Sequence, residues 1–543
     1  HGEGDKVGLD DFFYAGGTVD QLKEAVDMSA VSATGIRVTG RGLADISQEA
    51  QDAIAEFNMP PFMFSRAGQI VRITTDDRGI SKIRDCNIHY IKGVLARACK
   101  WYKVSVKDVY SECFPPEEIC QDIMALDSID GVPPCNTIVK CPVMSGHPTW
   151  SIHDTPGYCE AARTYIDTSE FTPAWVGDVQ SAVDYIRNDV LVDFPIAGDS
   201  DFSHALSLML LPIVRSAIQG PTPLHMIDAP VQGTGKSLLA EICLMPTLGD
   251  HIASTPGTGD EEEWRKKITA GLRDGNGYIL FDNLDKKVNS AALASAVASM
   301  EWADRILGLS SNVNLPINVV WLATGNNAEL SRDIVRRTAW IRLDAATERP
   351  ETRQMVKPFR HPNIRQYVID SRPHIIAALV KIVQNWLDAG RPPFSGTMKL
   401  GGFEAWMSMM GGILEAAGVA GFLDNTETLR EHSDSDDTAW LNFYIRWNTR
   451  YGDKGVKASE LIEEFLIDEQ LCGLLPDHGS DKAKATKLGW LLKRKQGIVR
   501  NGMKVEVIPG VHGSSGAYRI VKLEQPAVVD QQTMFDGDDS SVI

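Results

Sequence analysis

Hydrophobic and polar positions along this chain change period several times, and the changes mark out elements. Helical spacing runs through Val19 to Met28 and Ser47 to Phe57, interrupted by turns such as Ala15-Gly16-Gly17. Phe62 to Ile73 reads as a short hairpin and Ile88 to Tyr102 as a helix, and the stretch after it is punctuated by Pro115-Pro116, Pro133-Pro134 and Pro156-Gly157. Val176 to Ile218 holds two helical patterns. The more apolar one, Ala205 to Ile218, is broken by Pro212 and Arg215 and is shorter than the ~20 residues of a bilayer span, so it predicts a buried helix. Apolar strands follow at Leu224 to Ala229, Gly277 to Phe281, Asn318 to Thr324 and Ala339 to Ile341, then helices at Asn363 to Ala389 and Gly401 to Phe422. Past an acidic break at Glu431 to Asp437 come two amphipathic helices, Val456 to Leu466 and Asp481 to Lys495. Two strands, Met503 to Ile508 and Ala517 to Val521, close the pattern around the turn Gly513 to Gly516.

A length of 543 residues predicts several domains. A hydrophobic share of 43% and a charged share of 23% are those of a soluble globular protein and exclude collagen, coiled coil and wholesale disorder. Nine cysteines spread along the chain point to a reducing compartment, the cytoplasm. Cys135, Cys141, His147 and Cys159 lack any CxxC pair, so free buried thiols are expected there rather than zinc. The chain starts at His1 without a leader pattern, as a fragment of something longer would. A net charge of -18 opposes nonspecific binding to nucleic acid, so any such function needs its cations concentrated in one place.

The clearest chemistry follows the strand Leu224 to Ala229. Pro230-Val231-Gln232-Gly233-Thr234-Gly235-Lys236-Ser237 and the helical run after it give the strand, glycine loop and helix of a P-loop, with Pro230 where the first glycine usually stands. Gly233 and Gly235 allow backbone N–H groups to face phosphate oxygens. Lys236 is expected to reach the β- and γ-phosphates of ATP, and Ser237 to give its hydroxyl to Mg²⁺. Asp282 ends the next strand, where a P-loop enzyme keeps the carboxylate of its metal shell. Asn326, with Asn327 beside it, ends the third and is placed to orient an attacking water. Arg337, with Arg336 second, is the candidate guanidinium for charge on a transferring phosphoryl group, given in ring ATPases by a neighbouring subunit.

Taken in order between Pro223 and Ala345, these elements resemble superfamily 3 helicases of the AAA+ class, especially the ATPase part of phage- and poxvirus-type primase-helicases. Asp154-Thr155-Pro156-Gly157-Tyr158 resembles the segment preceding such cores. The resemblance implies a hexameric ring around DNA, movement 3′ to 5′, a site shared between subunits, a primase domain or protein as partner, and a DNA-reading hairpin between the second and third strands. Arg305 falls in that interval, and its plainer reading is a surface ion pair with Asp304 or Glu301. One departure matters: many AAA+ enzymes carry Glu after the metal-side Asp, and this chain has Asn283, which cannot accept a proton. That leaves Asp282 or Asp285 as base, or water that is positioned only.

The required basic cluster lies near the C-terminus. Lys482, Lys484, Lys487, Lys493, Arg494, Lys495, Arg500 and Lys504 follow one another with no acid among them, on a helix and strand that read as a winged helix for DNA. The residues after Lys522 have the composition of a disordered tail, and within them Gln531 to Phe535 resembles a peptide that binds the sliding clamp. The expected fold is thus an α/β P-loop AAA+ core (174–350), preceded by a helical segment (1–60) and a mixed accessory domain (61–173). A helical lid (351–437), a winged-helix-like domain (438–522) and an acidic tail (523–543) follow it. The expected function is an ATP- and Mg²⁺-dependent DNA helicase or translocase, expected from the resemblance as a homo-oligomer, acting in replication of a phage or mobile element in a bacterial cytoplasm, with no membrane partner. Its rivals are another AAA+ motor for packaging or remodelling, and an ATP-switched origin-binding protein with little turnover.

Overall fold

Five parallel strands carry the centre of the chain: β1 Leu224–Ala229, β2 Thr255–Pro256, β3 Tyr278–Leu284, β4 Val320–Asn326 and β5 Thr338–Arg342, in the spatial order β2-β3-β4-β1-β5. All six residues of β1 are buried, the pattern of a strand covered on both faces. In this computed structural model residues 35–522 are described, apart from 78, 147–148, 169–172, 250–251, 285–287, 306–311, 348, 357, 398, 434, 468–474, 476–479, 498–501 and 509–515. The expected helix at Val19 to Met28, Asp285, Arg500 and the tail with Gln531 to Phe535 lie outside the described residues.

Three helices support the sheet. The apolar run near Ala205 is the middle of α1 Asp199–Val214, buried continuously from Asp201 to Val214, with Pro212 inside its last turn. This helix packs on β5 and on α2 Lys236–Leu248, which in turn contacts β1 and β4. Asp201, fully buried in α1, accepts from the Arg342 backbone and from Asn425 Nδ2, at 2.9 Å each, and pairs with the Arg342 guanidinium at 3.2 Å. The third, α3 Glu261–Arg273, starts under the cap of Asp260, whose carboxylate accepts from the N–H groups of Glu262 and Glu263. Between β3 and β4, Glu301–Arg305 and Asn312–Pro316 pair as an antiparallel hairpin.

The N-terminal part is built otherwise than its periodicity predicts. The helix expected over Ile88 to Tyr102 ends at Ala98. Cys99 is extended, and Lys100–Val104 forms a strand parallel to Gly35–Arg37. Trp101, Tyr102 and Val104 are buried β-formers, and pairing with the earlier strand overrides the helical spacing. Nor is there a break in packing at residue 60. Ile46, Ala50 and Ile54 of the helix Leu43–Phe57 share one core with Met63, Ile91, Leu95 and Ile123. Among the described residues, no helix is long and apolar enough to cross a membrane, and no group of three or more His, Cys, Asp or Glu side chains is arranged to hold a metal. Cys135 and Cys141 are buried free thiols, their pKa values pushed up to about 12 by burial.

Residue contacts divide the chain into two compact units, 1–427 and 428–543. The second contains helices Ser435–Tyr451, Ala458–Ile467 and Asp481–Arg494 and the antiparallel hairpin of Met503–Ile508 with Ala517–Lys522. Its own core includes Trp440, Phe443, Trp447, Phe465, Leu488 and Leu492.

Within the first unit, Arg66 ties the accessory region to the parallel-sheet core. Its buried guanidinium donates to the carbonyls of Leu272 at 2.6 Å and Arg273 at 3.3 Å, and to that of Asn136. Removing a buried donor of this kind orphans its acceptors, and Arg66→Ala is expected to lower the unfolding free energy of this unit by about 2–4 kcal/mol. Denaturant titration measures it; a change below about 0.5 kcal/mol, the range of an ordinary surface substitution, contradicts the structural role.

Candidate nucleotide-binding active site

The loop leaving β1 turns sharply because two of its residues need no Cβ. Gly233 and Gly235 have φ values of 76° and 103°, which favour glycine, and a Cβ on Gly233 would come within 3.4 Å of the Glu351 carboxylate. The Thr234 hydroxyl donates to the Val231 carbonyl at 2.6 Å and closes the loop on itself. Pro230, Gln232 and Gly233 are exposed, Val231 and Gly235 half-buried. Gly235 is the N-cap of α2, so the loop runs straight into the positive end of a 13-residue helix.

Lys236, the first residue of α2, is buried, and its ammonium donates to Asn326 Oδ1 at 2.5 Å. Burial pulls its pKa below the ordinary lysine value, against the opposing pull of the Asp228 and Asp282 carboxylates. Asp228 is raised by its own burial, opposed by backbone N–H groups, that of Ala328 first, and by Lys236. One residue on, the Ser237 hydroxyl donates to Asp282 Oδ1 at 2.7 Å. The Thr324 hydroxyl donates to the same oxygen at 2.5 Å and accepts from the Asn283 N–H at 2.9 Å. Asn283, in the left-handed region with φ 57°, accepts from Asn326 Nδ2 at 3.2 Å.

Sheet order explains this convergence. With β4 inserted between β1 and β3, the end of β4 lies beside both the P-loop and the acid-bearing strand: Ala229 is in register with Asn326, and Phe281 with Ala323. Lys236, Ser237, Asp282, Asn283 and Asn326 therefore meet at one edge of the sheet although they come from three segments. Thr324 belongs to the group too, and sequence reasoning missed it because an inward hydroxyl in an apolar strand carries no signature.

Other predicted residues lie elsewhere. Arg337 is at the opposite edge: its carbonyl accepts from Leu224 N–H at the start of β1, roughly 15–20 Å of strand from the loop at ~3.3 Å per residue. Arg337 and Arg336 both pair with Asp333, at 2.5 and 2.6 Å, and the bond from Arg337 leads in holding the Asp333 carboxyl below its usual range. Neither reaches the P-loop of its own chain. The Arg305 backbone pairs with Asn312 in the hairpin, while its side chain lies outside the described residues; the Asp304 carboxylate bonds Arg265 and, at 3.0 Å, the Thr269 hydroxyl.

A cation the motif reading passed over does touch the loop. Arg353, after the short turn Pro350–Thr352, donates to the Thr234 carbonyl at 3.4 Å and lies 5.6 Å from the Phe359 ring centre. Burial lowers its pKa, with Asp193 opposing. Phe194 also lies near the loop, 3.8 Å from where a Gly235 Cβ would stand.

In the second unit, Lys482, Lys487, Lys493 and Arg494 are exposed on the helix Asp481–Arg494 and Lys484 is half-buried. Lys495 sits 5.4 Å over the Trp440 ring. Lys504 pairs with Glu506 at 3.0 Å, and Arg519 shares that carboxylate at 2.8 Å, so the hairpin is not the uniformly basic surface its lysine suggests.

No protein-family model matches the sequence, and no curated protein matches it. Among solved structures, the apo form of the C-terminal region of NrS-1 is similar at 10% identity over 84% of this chain and 96% of that one, with a TM-score of 0.34. The Cch protein of SCCmec type IV, described as an active helicase, is similar at 13% identity over 85% of this chain and 92% of that one, with a TM-score of 0.31.

Proposed function

We propose that this chain is an ATP-hydrolysing, Mg²⁺-dependent motor acting on DNA, a helicase or translocase of the AAA+ superfamily 3 kind. The observation that carries the reading is the meeting of Lys236, Ser237, Asp282 and Asn326 at one edge of a parallel sheet. A glycine loop at a helix N-terminus followed by lysine suits a nucleotide polyphosphate. The Ser237 hydroxyl and the Asp282 carboxylate, 2.7 Å apart, are hard oxygen donors of the type Mg²⁺ takes, and they fit it. Bound there, Mg²⁺ would neutralise charge on the β- and γ-phosphates.

The chain's own residues divide the remaining work. Lys236 exchanges its bond to Asn326 for phosphate oxygens, and that exchange frees the Asn326 amide to orient water. Thr324 fixes the Asp282 carboxylate. Arg353 extends a second cation toward the loop from the same chain. Arg337, remote from its own loop, is read as completing a neighbour's site in a ring; hexamer is the form the family resemblance implies. The second unit, read as a winged helix, offers its basic helix to DNA phosphates. A primase partner, clamp binding through Gln531 to Phe535, and a setting in phage or mobile-element replication in a bacterial cytoplasm complete the proposal.

Asn283 favours a second reading. Lys236, Asn326 and Asn283 form a bonded series whose two amides accept no proton, as suits an ATP-switched DNA-binding protein with little turnover. ATP turnover with and without single-stranded DNA, alongside unwinding of a forked duplex, separates the two. DNA-stimulated turnover with strand separation is expected from the wild type; ATP binding with negligible turnover selects the switch.

Lys236→Ala is expected to abolish hydrolysis while the chain stays folded, as circular dichroism would show; retained hydrolysis contradicts the pocket assignment. Arg353→Ala is expected to weaken ATP binding about tenfold, the worth of one charge-assisted hydrogen bond, with Arg353→Lys recovering part of it. Equal affinities for the wild type and Arg353→Ala in a fluorescent-nucleotide titration contradict that role.

A further inference from the structure

The helix Asp481–Arg494 buries Leu488 and Leu492 completely, and Ala485 and Leu491 pack beside them. On this side Tyr518 donates its hydroxyl to the Gly489 carbonyl at 3.0 Å, and Ala458 lies 3.7 Å from the position a Gly489 Cβ would take. The inner face is therefore filled without Trp490, which is 50% exposed. An isolated exposed apolar residue is ordinary. Trp490 differs in what surrounds it: Lys487, three residues before, places its ammonium 4.9 Å from the indole centre, and Arg494, four residues after, places its guanidinium at 4.7 Å. Helical spacing thus makes a stripe of cation, indole and cation on the outer face of the most basic helix in an acidic chain.

We propose that Trp490 is a stacking platform for an unpaired base of single-stranded DNA, with Lys487 and Arg494, both of which lie over the indole, swinging off it to hold the phosphates on either side of that base. This rests on the DNA-binding reading above and specifies the form of DNA this helix takes. Charge complementarity selects a polyanion, and the indole selects among polyanions. In a duplex each base face is already covered by the next pair, whereas an unpaired base offers its π-face at no cost in unstacking. The cations alone would bind phosphate of either form, so the aromatic residue between them is what confers preference for single strands.

Fluorescence anisotropy of the full chain with a labelled oligothymidylate and with a labelled duplex of equal length tests this. Trp490→Ala is expected to weaken oligothymidylate binding about 5- to 100-fold, the loss of one base–aromatic stack, with duplex binding changed less than about twofold. Trp490→Phe is expected to retain most of the affinity. Lys487→Ala and Arg494→Ala should weaken both DNA forms and flatten the dependence on salt. Because the indole is outside the core, Trp490→Ala should unfold at the wild-type temperature, which separates a lost contact from a lost fold. Oligothymidylate affinity equal to the wild type, or equal losses on single strand and duplex, overturns the stacking role while leaving the DNA-binding reading in place. Failure of the wild type to bind either DNA overturns both.

Discussion

A buried ammonium at the start of α2 imposes the arrangement around it. Burial works against the charge on Lys236, and the fold answers with an amide oxygen at 2.5 Å and two carboxylates, Asp228 and Asp282, whose fields favour the charged form. Asn326 and Asp282 come near Lys236 because β4 lies between β1 and β3 in the sheet, while Asp228 is carried by β1 itself. The glycine loop, Asp282 and the Asn326 amide are brought together by this one topology. Asp282 is held in turn by hydroxyls from two directions, Ser237 of the helix and Thr324 of the neighbouring strand, so the carboxylate is oriented before any ligand arrives.

The same topology separates the arginines from the loop. Arg337 lies at the start of β5, in line with the start of β1, and a strand's length divides it from Gly233. A guanidinium so placed serves another subunit or serves only its bond to Asp333. Arg353, in contact with the loop, supplies a cation without a partner chain.

Much of the candidate site was legible in the sequence because its elements are local. The strand read at Leu224 to Ala229 has those bounds in the structure, and the P-loop, Asp282 and Asn326 each follow an apolar run whose end is visible. Pairing across the chain was not legible. Lys100 to Tyr102 carries the spacing of a helix end and becomes strand, paired residue by residue with Gly35–Arg37. Thr324 and Arg353 act through contacts with distant segments and belong to no local pattern. Lys504 looked like part of a basic wing until the hairpin register set Glu506 opposite Arg519, where one carboxylate serves both cations.

As proposed, Asp282 and Ser237 form the metal side of a nucleotide site whose phosphate side is Lys236. Calorimetric titration of ATP into the wild type and Asp282→Ala, each with and without Mg²⁺, tests it most directly. Tighter ATP binding with Mg²⁺ in the wild type, and the same affinity with or without the metal in Asp282→Ala, is expected. A full Mg²⁺-dependent gain in Asp282→Ala would contradict it.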